Sequence, residues 1–158
     1  MWRCWLVPAA RATAIPYAYD STVEAFRPEL QKFDDETRKD ALGFIDGLYA
    51  GGSTNIDGAL TTALEMIKDT SRPNYVLFLT DGLPNVYGSP VQQAELGDDN
   101  ALVAARKVAD RLKRSGTRIV PVGIDLGEGG VENLAAISGA KAGDDYFLTR
   151  VDVLRGEL

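Results

Sequence analysis

Apolar residues cluster in short runs separated by longer stretches with a three-to-four residue repeat, and the plainest run is Tyr75-Val76-Leu77-Phe78-Leu79-Thr80. Bounded by turn formers, it is too short for an ordinary helix and predicts a strand buried on both faces, as in parallel sheets. The strand ends on Thr80-Asp81-Gly82. A carboxylate at that C-terminal tip lies on the rim where open α/β sheets bind ligands, which makes Asp81 the first candidate site residue.

Around this strand the other elements fall into order. Residues 13–28 alternate Tyr17 and Tyr19 with Ala18, then Val23 and Ala25 with Glu24, which predicts a hairpin turning at Asp20-Ser21; Pro16 and Pro28 suit edges or strand ends. Asp34 or Asp35 can cap a helix to about Tyr49, with Ala41, Ile45 and Leu48 on one face and Gly43 and Gly47 weakening it. After Gly51-Gly52, Thr54 and Asp57 have capping-box spacing ahead of Ile56, Ala59, Leu60, Ala63, Leu64 and Ile67. Thr54 is therefore the expected N-cap.

Residues 84–99 are polar with Gly and Pro, and read as a loop over the same rim. Asp99 or Asn100 can cap a helix with Ala101, Ala105, Val108 and Leu112 on one face, Lys113 and Arg114 in its last turn and Gly116 beyond. Arg118 to Ile124 is a further strand, although Pro121 lacks the N–H an interior ladder position needs. A short helix through Val131, Leu134 and Ala135 stops at Gly139, Asp145 to Leu148 makes a last strand, and Val151 to Leu158 a terminal helix turn. Strands alternating with helices predict an α/β, Rossmann-like, mostly parallel sheet with helices on both faces and an antiparallel edge hairpin.

A chain of 158 residues with 45% hydrophobic and 25% charged residues suits one domain. Its net charge of −6, with Lys and Arg scattered along the sequence, argues against a nucleic-acid partner. One cysteine excludes an internal disulfide, and the absence of histidine excludes Cys/His zinc sites and His-based triads. No apolar run is long enough to span a membrane, and the short apolar piece Trp5-Leu6-Val7, broken by Pro8, argues against a signal peptide despite the Ala-Arg-Ala that follows it. Composition leaves the compartment open.

Two motifs in order, Gly51-Gly52-Ser53-Thr54-Asn55-Ile56 before an Ala-Leu helix and Leu79-Thr80-Asp81-Gly82-Leu83-Pro84-Asn85 closing the buried strand, resemble the von Willebrand factor type A domain. The resemblance implies a non-enzymatic protein-interaction or adhesion module. It further implies a magnesium (or manganese) site, the metal-ion-dependent adhesion site, with Thr54 and Asp81 as metal ligands and an acidic side chain of the protein partner completing the coordination. An extracellular or cell-surface parent protein follows by the same resemblance.

The family's first metal loop, Asp-x-Ser-x-Ser, has no counterpart here. Asp20-Ser21-Thr22-Val23-Glu24 and Asp69-Thr70-Ser71-Arg72-Pro73 come nearest, without its spacing or position. Metal affinity should accordingly be weak or absent. The resemblance covers residues 13–158 and leaves 1–12 as an unmatched N-terminal segment, so the domain lacks the family's central first strand. Trp2 to Val7 cannot serve as its parallel substitute, because only Pro8 to Ala12 remain for a crossover; an antiparallel pairing stays open. In a single chain the strands Ala14–Tyr19 and Tyr75–Thr80 are then expected to close up against each other, and otherwise the unpaired sheet invites self-association. The alternative reading is a nucleotide- or phosphate-binding Rossmann-like enzyme domain, with Gly51-Gly52-Ser53-Thr54 cradling a phosphate. Against it, the chain has no Gly-x-Gly-x-x-Gly, no Gly-Lys-Ser/Thr and no Gly-x-Ser-x-Gly.

Overall fold

The computed structural model describes residues 2–5, 13–49, 51–81, 83–88, 92–93, 99–139 and 147–149. The strands are β1 (Trp2–Trp5), β2 (Thr13–Ala14), β3 (Pro16–Tyr19), β4 (Val23–Ala25), β5 (Gln31–Lys32), β6 (Asn74–Thr80), β7 (Val86–Tyr87), β8 (Gln92–Gln93), β9 (Thr117–Ile124) and β10 (Phe147–Thr149). The helices are α1 (Asp35–Asp46), α2 (Ile56–Met66), α3 (Asn100–Arg114) and α4 (Glu128–Ser138). A six-stranded sheet in the order β10-β9-β6-β1-β3-β4 carries the fold, with β2–β5 and β7–β8 as separate two-stranded ribbons. The β7–β8 ribbon lies in the stretch expected to be plain loop. The terminal turn expected over residues 151–158 lies outside the described residues.

Strands β6, β9 and β10 pair in parallel, with Thr80 opposite Gly123 and Phe147 opposite Val122. Both β3 and β6 pair antiparallel to β1, so β3 runs in the same direction as β6, and four of the six strands share one direction. The β3–β4 hairpin at the edge is the one the alternation predicted, with Tyr17 opposite Ala25 and Tyr19 opposite Val23.

One expectation is corrected at the centre of the sheet. Strands β3 and β6 do not close up against each other; Trp2–Trp5 lies between them, Cys4 pairing with Tyr17 on one side and Phe78 on the other. The antiparallel direction makes this possible, because such a pair needs no helical crossover and a short return connection suffices. Each backbone donor or acceptor left unpaired in that gap would have cost about 1–3 kcal/mol, which drives the segment into it.

Pro121 is a second correction. It sits in β9 opposite Phe78, inside the sheet rather than at its edge, and is fully buried. Successive residues of a strand direct their N–H groups to alternate neighbours, so the proline removes a single bond on one side while keeping its apolar packing. Pairing with β10 covers Val122–Ile124, just beyond it.

Alternate residues of the sheet, Tyr17, Tyr19, Val76, Phe78 and Ile119, form one core with Ile56, Ala59, Leu60 and Ala63 of α2, Ala105, Val108, Ala109 and Leu112 of α3, and Leu134 and Ile137 of α4. On this face side chains reach across the position of β1. Tyr19 stacks on Phe78 with ring centroids 5.8 Å apart, and its hydroxyl donates to the Leu79 carbonyl at 3.0 Å. Leu77, Leu79, Val120 and Val122 point to the opposite face and are half-buried. Helix α1, capped by the Asp34 side chain on Thr37 N, packs Phe44 against Phe26 just past β4. The fold is therefore the expected α/β, Rossmann-like one.

Candidate functional site

Because β3, β6 and β9 run in one direction, the residue following each of them, Asp20, Asp81 and Asp125, lies on the same rim. The loop leading into α2 is tied onto this rim from both sides. From the β3–β4 turn, Ser21 Oγ accepts from Ser53 N at 3.0 Å, the Asp20 carbonyl accepts from Asn55 N at 2.9 Å, and the Ser21 carbonyl accepts from Asn55 Nδ2 at 3.1 Å. From the loop beyond β6, Asn85 Oδ1 accepts from Thr54 N at 2.7 Å, and Asn85 N donates back to the Thr54 carbonyl at 3.2 Å. Farther along, Gly88 N donates to Asp57 Oδ2 at 2.9 Å. Gly52 takes a left-handed φ of 74°, and a Cβ there would lie 2.9 Å from Asp20 Cγ, so only glycine lets the loop come so close to the turn.

This arrangement corrects the expected cap. The N-cap of α2 is Asn55, whose Oδ1 accepts from Gly58 N at 2.8 Å, while Thr54 lies one residue outside. Both backbone groups of Thr54 are engaged by Asn85, which holds it in the loop; the capping role passes to the buried Asn55. Among the described residues the Thr54 hydroxyl makes no hydrogen bond. Asp81 is exposed as a residue, yet partial burial of its carboxyl pushes the pKa above the ordinary carboxylate value. The Thr54–Asn85 pair thus brings the two sequence-predicted residues' loops together.

Whether they can hold magnesium depends on the donor set. The ion prefers six hard oxygens in an octahedron. Thr54 and Asp81 offer one hydroxyl and one carboxylate, and among the described residues no three Asp, Glu, His or Cys side chains group closely enough to hold a metal. Asp20 does not complete the set: β1 separates β3 from β6, a spacing of about 10 Å, and its Oδ1 accepts from Thr22 N at 2.8 Å and Thr22 Oγ1 at 3.2 Å. Nor can the central strand supply the lost loop, because β1 runs opposite to β6 and its C-terminal end reaches the other rim. Among the described residues, those at the rim do not make a resident metal site.

Asp69, the other near match to the metal motif, lies before β6 at that opposite rim. It accepts from the Ser71 hydroxyl, Ser71 N and Arg72 Nε, and these bonds, Ser71 foremost, hold its carboxyl below the ordinary range. Asn55 and Asn85, which build the site, stand within the two motifs but were given no role of their own in the sequence. The signal that could have found Asn55 is its own N-cap preference, followed by Gly58 three residues later.

A parallel-type sheet with loops converging on a carboxylate-bearing rim defines the class as a Rossmann-like binding domain. The chain belongs to the von Willebrand factor type A domain family, whose pattern matches residues 8–154. No curated protein matches it in sequence. Among solved structures it is similar to proximal thread matrix protein 1 from the mussel byssus, at 18% identity and a TM-score of 0.59, over 89% of this chain and 31% of that one. At that identity the likeness speaks for the fold, and the chain spans about a third of that neighbour's length. Family membership makes it, in general terms, a protein-interaction module.

Proposed function

We propose that this chain is a non-enzymatic module that binds a protein partner through the rim formed by the loops of Ser21, Thr54, Asp81 and Asn85. Thr54 and Asp81 are on this reading the remnant of a metal-ion-dependent adhesion site, and magnesium or manganese binding there is weak or absent. The observation that carries the reading is the occupancy of the loop's amides. The N–H groups of Ser53, Thr54, Asn55 and Gly58, which a phosphate would need, already donate to Ser21 Oγ, Asn85 Oδ1, the Asp20 carbonyl and Asn55 Oδ1. A loop satisfied from within is a rigid platform for a partner and a poor cradle for an anion. The chain's lack of histidine adds to this, since no Ser-His pair can form.

An extracellular parent protein fits the family and a neighbour described as a byssal thread matrix protein. Among the described residues no helix is long and apolar enough to cross a membrane. The test is thermal shift and titration calorimetry with magnesium, manganese, ATP and NAD. The expected result is no nucleotide response and at most a small metal response. Saturable stabilisation by a nucleotide would overturn the proposal in favour of a phosphate-binding enzyme domain.

A further inference from the structure

Of the chain's 17 Lys and Arg residues, six fall between 106 and 118, where Asp110 is the single acid. What looks scattered in sequence is gathered by α3. At 100° per residue, Ala101, Ala105, Val108, Ala109 and Leu112 form the buried side, and Lys107 and Arg114 fall on the opposite side around exposed Val103 and Asp110, with Arg111 flanking them on one side and Arg106 and Lys113 on the other. Asp110 pairs with Lys113 at 2.8 Å. Arg106, Lys107, Arg111 and Arg114 are exposed and make no ion pair among the described residues, although the chain holds 23 acids.

The face runs into a cavity of about 300 Å³ at the end of α3, lined by Lys113, Thr117, Arg118, Ser138 and Gly139 among others. Lys113 Nζ donates to the Ile137 carbonyl at 3.3 Å and pairs with Asp110, which uses two of its three N–H groups. Gly139 stands at a φ of 73°, and a Cβ there would come within 3.3 Å of the Lys113 ammonium, so glycine keeps this space open.

We propose that the outer face of α3, with the cavity at its C-terminal end, docks an acidic segment of a partner protein, seating one carboxylate beside Lys113. The proposal is independent of the rim and of the function assigned to it. Charge complementarity selects the partner. From Arg106 to Arg114 the helix rises about 12 Å, which matches a short acidic peptide. The helices that flank α3 carry Glu65 on α2 and Glu132 on α4, and the remainder of the chain is strongly acidic. A nucleic acid or sulfated glycan, charged along its whole length, would be repelled as soon as it left the face. Exposed Val103 adds an apolar contact on the same line, and no aromatic residue of α3 offers a base a stacking surface.

The test is fluorescence anisotropy with the whole chain and three labelled probes: an acidic Glu/Leu peptide, a heparin oligosaccharide and a single-stranded oligonucleotide. The double variant Arg111→Glu/Arg114→Glu is compared with Arg38→Glu/Lys39→Glu on α1, which changes net charge equally at a distance. The expected result is peptide binding that weakens with salt and falls at least about tenfold in the α3 variant, with the α1 variant close to wild type. Equal losses in both variants, no peptide binding at low salt, or patch-dependent binding of heparin or oligonucleotide in preference to the peptide would each overturn the proposal. Circular dichroism of both variants confirms that the comparison is between folded chains.

Discussion

Replacing Asn55 with alanine tests the construction of the rim, because this side chain, 2% exposed, joins the start of α2 to the β3–β4 turn. Its Oδ1 satisfies Gly58 N at the start of α2, and its Nδ2 satisfies the Ser21 carbonyl in the β3–β4 turn. Loss of an N-cap costs about 1 kcal/mol, and a partly buried carbonyl left without its donor costs about 1 kcal/mol or more. Asn55→Ala should therefore destabilise the domain by about 2–3 kcal/mol, a large share of the roughly 5–15 kcal/mol of a typical domain. For a chain of this size that lowers Tm by roughly 5–10 °C. Asn55→Asp separates the two parts. It keeps the acceptor, with a charge that suits the helix N-terminus, but loses the donor to Ser21, and should cost about 1–2 kcal/mol. Thr54→Ala, by contrast, keeps both backbone bonds to Asn85 and should cost less than about 0.5 kcal/mol. Urea unfolding of the three variants at neutral pH decides the matter. A Thr54→Ala loss as large as that of Asn55→Ala would refute the assignment of the cap.

Gly58→Ala, ordinarily a gain of up to about 1 kcal/mol within a helix, should destabilise here, since the new Cβ would lie 3.0–3.1 Å from the Asn55 amide atoms that Ser21 holds in place; a raised Tm would show that the cap can yield. Tyr19→Phe should cost about 1 kcal/mol in chemical denaturation through loss of the bond to the Leu79 carbonyl, and no change would mean that the span across β1 carries no energy. For Asp81 the sign follows from its raised pKa. Between the unfolded value near 3.9 and the higher folded value the native state holds the extra proton, so stability from this group falls as pH rises through that window. Asp81→Asn should thus gain relative to wild type on going from pH 3 to pH 7, by less than about 1 kcal/mol because the residue is exposed. Unfolding midpoints across that range giving the opposite slope would show that the carboxylate is stabilised by a neighbour.

Much of the architecture was legible in local pattern, because burial imposes its period on the residues that carry it. The apolar run before Thr80 marked β6, the four- and three-residue steps from Ala101 to Ala105 to Val108 marked α3, and Gly116 and Gly139, both at positive φ, marked the ends of α3 and α4. The two loop motifs were enough to show the family. What local pattern could not decide were pairings between distant segments. Whether Trp2–Trp5 joins the sheet, and in which direction, depends on the gap that β3 and β6 leave, not on those four residues alone. The choice of Asn55 over Thr54 as cap was made by Ser21 and Asn85, which lie 34 and 31 residues from their partners. Likewise the basic residues of α3 became one exposed face only when the apolar side of that helix found the core. A residue's period reports whether it is buried; its partners are set by which other segments must satisfy the same backbone and side-chain groups, and that competition exists only in the folded chain.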